Sequence, residues 1–389
     1  MAEGRQHYLS GKMPISGLSG NEIFCLDRIG YAAGHLVVGN SVHSLGFLGS
    51  VGSGFRSVVG GEITGVTQLI EEGRHAAYSR MEAEAKGHGG VGLTGVTSEL
   101  VFHGGNMEFL SIGSSLHKQG QSTFFSTHAD GQELYAQVDA GFHPQHFVLG
   151  NVAYSIGLAR GVVGAFKTLA RGEVREFSEI FNTTRRLALD RIVRDAKRQD
   201  TERRTNAIVG IQTTILPVTG LQEMLMIGTA SHHPGLVLPE THPIATSDLT
   251  CQEMWNLARM GYGPLKLLLG TSVYSLGFVG GITSFFKSFV RGEIPELSKL
   301  VYEARENSLD LIQREAQHLG ADKVVGVKTY VHQLGGGLIE FLAIGTAVKK
   351  MEGLQTASTE LPPQTFQVDK DTFVNTSPYA FGVDLNQGT

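Results

Sequence analysis

The sequence predicts an α+β protein made of one module written three times, and three recurring phrases carry that prediction. Val42-His43-Ser44-Leu45-Gly46-Phe47 returns 111 residues later as Ala153-Tyr154-Ser155-Ile156-Gly157-Leu158, and 120 residues after that as Val273-Tyr274-Ser275-Leu276-Gly277-Phe278. Gly61-Glu62 returns as Gly172-Glu173 and Gly292-Glu293. The stretch from Glu108 to Gly113 returns as Glu223 to Gly228 and as Glu340 to Gly345. The copies span residues 19–118, 130–232 and 247–350, joined by polar connectors, with an N-terminal extension at 1–18 and a tail at 351–389 that reads as extended or disordered.

Each copy opens with a short amphipathic helix, at Ser19 to Tyr31, Asp130 to Phe142 and Ser247 to Tyr262. In the third copy Asp248 or Thr250 can cap it, and Met254, Leu257, Ala258 and Gly261 recur at helical spacing. Gly30, Gly141 and Gly261 suit a left-handed residue at the helix end. A β-rich run follows, interrupted at Gly39, Gly150 or Gly270, and a glycine inside a strand signals a bulge or a close backbone approach. Next comes a glycine-rich aromatic segment, clearest from Gly280 to Gly292, which reads as a helix ending at glycine. The strongest helix runs from Pro295 to Leu319, with Leu297, Leu300, Val301, Ala304, Leu311 and Ala316 on one stripe and Gly320 just beyond its end. Its counterparts are Glu176 to Arg198 and Thr64 to Lys86. Two strands close the copy, Asp322 to His332 and Leu338 to Ala347, joined through Gly335-Gly336-Gly337. The copy therefore reads α-β-α-α-β-β. A sheet of three strands has two open edges, so burial against sister copies or other chains, and hence oligomerisation, is expected.

Bulk properties exclude several classes. The 389 residues carry 41% hydrophobic and 18% charged side chains with a net charge of -5, which gives no reason to expect nucleic acid as a partner. The 51 glycines, nearly twice the usual share, fall largely inside the repeat. Cys25 and Cys251 sit at non-equivalent positions, so a disulfide framework is not expected and a cytoplasmic setting is. No apolar leader or 18-residue apolar span is present, so secretion and membrane insertion are not expected.

The recurring carboxylates Glu108, Glu223 and Glu340 share a strand face with aliphatic neighbours, where an unpaired charge is costly. Arg74, Arg185 and Arg305 recur on the long helix, and Arg56, Lys167 and Lys287 recur before it, so structural or inter-module ion pairs are expected. Glu62, Glu173 and Glu293 precede the long helix and are expected to stabilise its positive end. His232, His233 and His242 in the second connector are candidate metal ligands, with solvated loop residues as the favoured reading. The basic run from Arg185 to Arg204 is diluted by acids and reads as a solvated helix face; with the aromatic and basic segments before it, it also suits a membrane surface. No catalytic signature recurs across the copies, which argues against an enzyme.

Leu319-Gly-Ala-Asp322, Val324-Val-Gly-Val327 and Gly345-Thr-Ala-Val348 resemble the bacterial YbjQ-like proteins, whose label is heavy-metal binding. The first two copies depart from this pattern at Lys86 to Gly90 and Asp200 to Asn206, and every copy adds an N-terminal helix. The resemblance implies a dodecin-subunit-like β-α-β-β module, its helix packed on a small antiparallel sheet, and assembly into rings that are commonly pentamers. The expectation is a non-catalytic scaffold forming a pentamer-based ring or shell, without a cofactor, its apolar Tyr379 to Leu385 docking on a neighbour. Alternatives are a small-ligand or heavy-metal-binding protein using pockets between modules, and a membrane-surface oligomer.

Overall fold

The computed structural model describes residues 13–44, 61–155, 172–202, 204–218, 221–275, 295–335 and 338–364. The aromatic glycine-rich segments, with Arg56, Lys167 and Lys287, and the Tyr379 to Leu385 phrase lie outside them. The first copy contributes α1 (Gly20–Arg28), β1 (Ala32–Ser44), β2 (Gly61–Glu62), α2 (Thr64–Gly87), β3 (Gly92–His103) and β4 (Asn106–His117). After the connector strand β5 (Phe125–Ser126) come α3 (Gly131–Asp139), β6 (His143–Ser155), β7 (Gly172–Glu173), α4 (Arg175–Gln199), β8 (Ala207–Val218) and β9 (Leu221–His232). The connector strand β10 (Ala245–Thr246) leads to α5 (Cys251–Arg259), β11 (Tyr262–Ser275), α6 (Pro295–His318), β12 (Lys323–Gly335) and β13 (Leu338–Lys350). No helix among the described residues is long and apolar enough to cross a membrane.

Each short helix begins with a reciprocal capping box, Ser19 with Glu22, Asp130 with Glu133 and Thr250 with Glu253. Each ends earlier than the apolar spacing predicts, because Gly30, Gly141 and Gly261 take φ of 79°, 84° and 77° and turn the chain into the long strand. The last strand of each copy is central: the sheets run β1-β4-β3-β5, β10-β8-β9-β6-β2 and β12-β13-β11-β7. Register is the same in all three, with Val42 opposite Glu108, Ala153 opposite Glu223 and Val273 opposite Glu340.

The long helix lies across its own sheet where the strand glycine has no side chain. A Cβ on Gly39, Gly150 or Gly270 would collide with backbone of α2, α4 or α6, so the close-approach alternative is the one realised. The opposite face of the helix packs on the sheet of the next copy. One cluster joins Tyr78 and Met81 to Phe147, Leu149, Leu225 and Ile227 of the second copy. Another joins Phe177, Phe181 and Leu189 to Leu267, Leu269, Leu342 and Ile344 of the third. The layers thus alternate sheet, helix, sheet, helix, sheet, helix.

Three expectations change. Glu62 and Glu173 do not cap the long helices; Ile63 and Val174 occupy the cap positions without a side-chain bond, and the Gly-Glu pairs form β2 and β7. Those strands join the following copy's sheet, β2 on β6 and β7 on β11. The sheets therefore gain strands beyond their own three, from the preceding copy and from the parallel connectors β5 and β10. Finally, the tail is ordered at its start: Leu354 and Thr356 are buried, and Ser358 donates from both its amide and hydroxyl to Asp139, at 3.0 and 2.6 Å. The Trp255 indole donates to the same carboxylate at 2.7 Å, so a buried acid with few other donors holds the segment in place.

Candidate assembly interface

Two fully buried ion pairs connect successive copies. The Arg74 guanidinium, on α2, reaches Glu223 on β9 with Nη2 to Oε2 at 2.7 Å and Nε to Oε1 at 3.1 Å. Its remaining arm donates to the Ser98 carbonyl and hydroxyl, both at 3.0 Å. At the next junction Arg185 on α4 grips Glu340 on β13, with Nη2 2.8 Å from Oε2 and Nε 3.2 Å from Oε1, while Nη1 donates to the Tyr154 hydroxyl at 2.6 Å. Its carbon stands 4.7 Å from the Tyr154 ring centroid. The bidentate geometry and the extra acceptors satisfy nearly every guanidinium donor, which two charges removed from water require.

Around these pairs the same contacts recur. Ile63 and Val174 donate their amides to the Ala153 and Val273 carbonyls, each at 2.8 Å. Ala153 and Val273 return a bond to the hydroxyls of Thr67 and Ser178, each at 2.9 Å. Connector hydroxyls Ser126 and Thr246 accept from the amides of Phe147 and Leu267 at 2.8 and 2.9 Å. The short helices are chained as well: the capping-box carboxylate of one accepts the first amide of the next, Glu22 from Gly131 at 3.3 Å and Glu133 from Cys251. The contact is heterologous, with one face of a module meeting a different face of its neighbour, and it is laid down twice with equivalent residues.

Glu108 and Arg305, the third members of each set, are not brought together. Glu108, with 19% of its side chain exposed, accepts from Asn40 at 2.9 Å and lies 2.6 Å from the His103 ring nitrogen. The Asn40 bond, then the His103 bond, hold its carboxyl below the ordinary range. Arg305 is exposed on α6 and has no ion-pair partner among the described residues.

Burial, followed by the neighbouring Asp130, pushes Glu133 up to about 7. The folded protein therefore keeps a proton there that the unfolded chain, titrating near about 4.3, gives up. Stability from this carboxyl is complete at acid pH and declines as pH rises from about 5 through 7. Melting temperature is expected to fall between pH 5 and 8 in the native protein, with a flatter profile in Glu133→Gln; parallel profiles would dissociate Glu133 from the effect.

The histidines do not converge. His232 faces the Arg204 carbonyl at 2.7 Å, and His233 is buried against Phe142 with its ring nitrogen 3.1 Å from the Ala140 carbonyl. His242 is half-buried and bonds the adjacent Thr241 carbonyl at 2.5 Å. Among the described residues no group of three or more His, Cys, Asp or Glu is placed to hold a metal ion. Cys25 and Cys251 are buried, and burial pushes both thiols up, away from the thiolate that a soft metal selects. The donor set does not fit a heavy-metal centre. A cavity of about 780 Å³ is nevertheless shared by the copies, lined by Thr94 and Gly95, by Gly210 and Gln212, and by Asp248 and Lys328. Sequence reasoning allowed for pockets between modules but assigned none of these residues to one, because the lining mixes polar and apolar side chains drawn from all three copies.

Comparison with known proteins agrees with the repeat. A family model described as "Putative heavy-metal-binding" matches residues 28–113, 143–233 and 263–351, more than half of the chain. An encapsulin nanocompartment protein of Mycobacterium tuberculosis is 39% identical over 106 residues, 27% of this chain and only 38% of that protein's length. A UPF0145 protein of Methanococcus maripaludis is 38% identical over 91 residues, covering 23% of this chain and 81% of its own. Another, from Pseudothermotoga lettingae, is 38% identical over 85 residues, 22% of this chain and 80% of its own. Matched once in each copy, in stretches that hold the strands and long helix of every module, the protein belongs to the YbjQ (UPF0145) family and carries its domain three times in tandem.

Proposed function

We propose that this protein is a non-catalytic, self-assembling scaffold that works in the cytoplasm and builds rings or a shell, with five chains to a ring as the family resemblance implies. The observation that carries this reading is the heterologous interface: two junctions use equivalent residues, so the contact belongs to the module surface rather than to a particular linker. The encapsulin nanocompartment name of one relative supports the same direction. The shared cavity of about 780 Å³ favours a second reading, a small polar ligand held between modules. Native mass spectrometry of untagged protein at micromolar concentration addresses both. Discrete multimers of the chain mass are expected; a strict monomer would overturn the scaffold reading, and a stoichiometric extra mass would establish the second.

A further inference from the structure

The two ends of the layered stack carry complementary halves of the contact that joins its copies. In the second and third copies the outer sheet face is covered by the preceding long helix: Phe147, Leu149 and Ala153 are 1%, 2% and 0% exposed, and Leu267, Leu269 and Val273 are 0%, 3% and 0%. Their counterparts in the first copy, Leu36, Val38 and Val42, are 43%, 42% and 57% exposed. On the same open face stands Glu108, at the position where Glu223 and Glu340 each receive an arginine from the helix before. At the other end α6 packs on its own sheet through Leu300, Ala304, Ile312 and Ala316. Its outer side displays exposed Ser298 and Arg305, the counterparts of Ser178 and Arg185, together with Tyr302 at 62% exposure.

The geometry points to a second copy of this chain as the occupant of that face: α6 of one chain seats on β1 and β4 of another, Arg305 entering beside Glu108 and Ser298 meeting the Val42 backbone. Continuity selects this occupant, since the arginine, its glutamate, the helix hydroxyl and the strand residue that bonds it in the two existing junctions each have a counterpart at one free end or the other. Asn40 and His103 hold Glu108 until Arg305 replaces them. Apolar area, a buried charge pair and the Val42 amide are then matched in one step, and because the contact is head-to-tail it propagates until the array closes.

This inference rests on the scaffold reading and names the surface that the reading requires. The test uses the intact chain with Glu108→Arg and Arg305→Glu made separately. Both side chains meet water, so each variant keeps its fold, checked by circular dichroism and melting temperature. Alone, each places like charges at the junction and is expected to lose assembly affinity at least ~10-fold by mass photometry. Mixed, they restore it, because one chain's native Arg305 meets the other's native Glu108 while the exchanged pair meets at the next junction. A disulfide between Val42→Cys and Ser298→Cys of different chains is expected in parallel. Assembly of both single variants at native affinity would overturn the proposed contact and leave the scaffold reading standing. A cross-link from position 42 to the Tyr379–Leu385 segment would make the chain's own tail the occupant and overturn it equally.

Discussion

Replacing Arg185 by alanine is expected to destabilise the protein by about 3–5 kcal/mol, because it strands Glu340 as a buried carboxylate with no cation beside it. Glu340 is fully buried, and among the described residues its arginine supplies the three hydrogen bonds to its carboxylate. The same substitution at Arg305 is the internal control. That residue occupies the equivalent helix position but is exposed within one chain, so in dilute, dissociated protein truncation should change stability by less than about 0.5 kcal/mol. Replacing both partners, Arg185→Met with Glu340→Leu, is expected to recover most of the loss, since desolvation of two ions is removed along with their attraction. Urea denaturation of the four proteins measures the set. A loss below about 1 kcal/mol for Arg185→Ala would mean that water reaches the pair.

Gly150→Ala is expected to cost about 3 kcal/mol, the upper end of ordinary overpacking. The added methyl would drive into the Ala188 carbonyl and the Ile192 amide of α4, and backbone cannot rotate aside as a side chain can. Nor can α4 retreat, because its other face is packed on Leu267, Leu269 and Leu342 of the third copy. Gly65→Ala, in α2 with no atom within 4 Å of the added carbon, should instead be neutral or stabilise by up to about 1 kcal/mol. Comparable losses in both variants would show that helix packing is looser than the strand crossing requires.

Much of the module was legible in the sequence because its signals are local. Cap candidates such as Thr250, apolar spacing on the long helices and glycines inside strands each report on a neighbourhood of a few residues. The strand glycines were informative even in their ambiguity, since one of two physical causes had to apply and the helix crossing supplies it. Pairing between copies was not legible. The recurring Glu and Arg identify partners by type, yet Arg74 could as well have met Glu108 of its own copy as Glu223, which lies 149 positions away. A two-residue strand such as Gly61–Glu62 is too short for alternation to show, so its charge suggested a helix cap instead. The connectors looked merely polar for the same reason, although β5 and β10 extend two sheets.

The one-copy offset of each ion pair also sets a timetable for synthesis. When α2 leaves the ribosome, the carboxylate for Arg74 has not been made; the 149 residues to Glu223 take roughly 7 to 30 seconds at ordinary translation rates. During that interval one flank of α2 faces water with its apolar side chains, and a guanidinium destined for a dry interior is solvated. Arg185 then waits across a further 155 residues for Glu340. Folding across these two junctions is therefore vectorial: the first and second copies are finished only when their successors arrive.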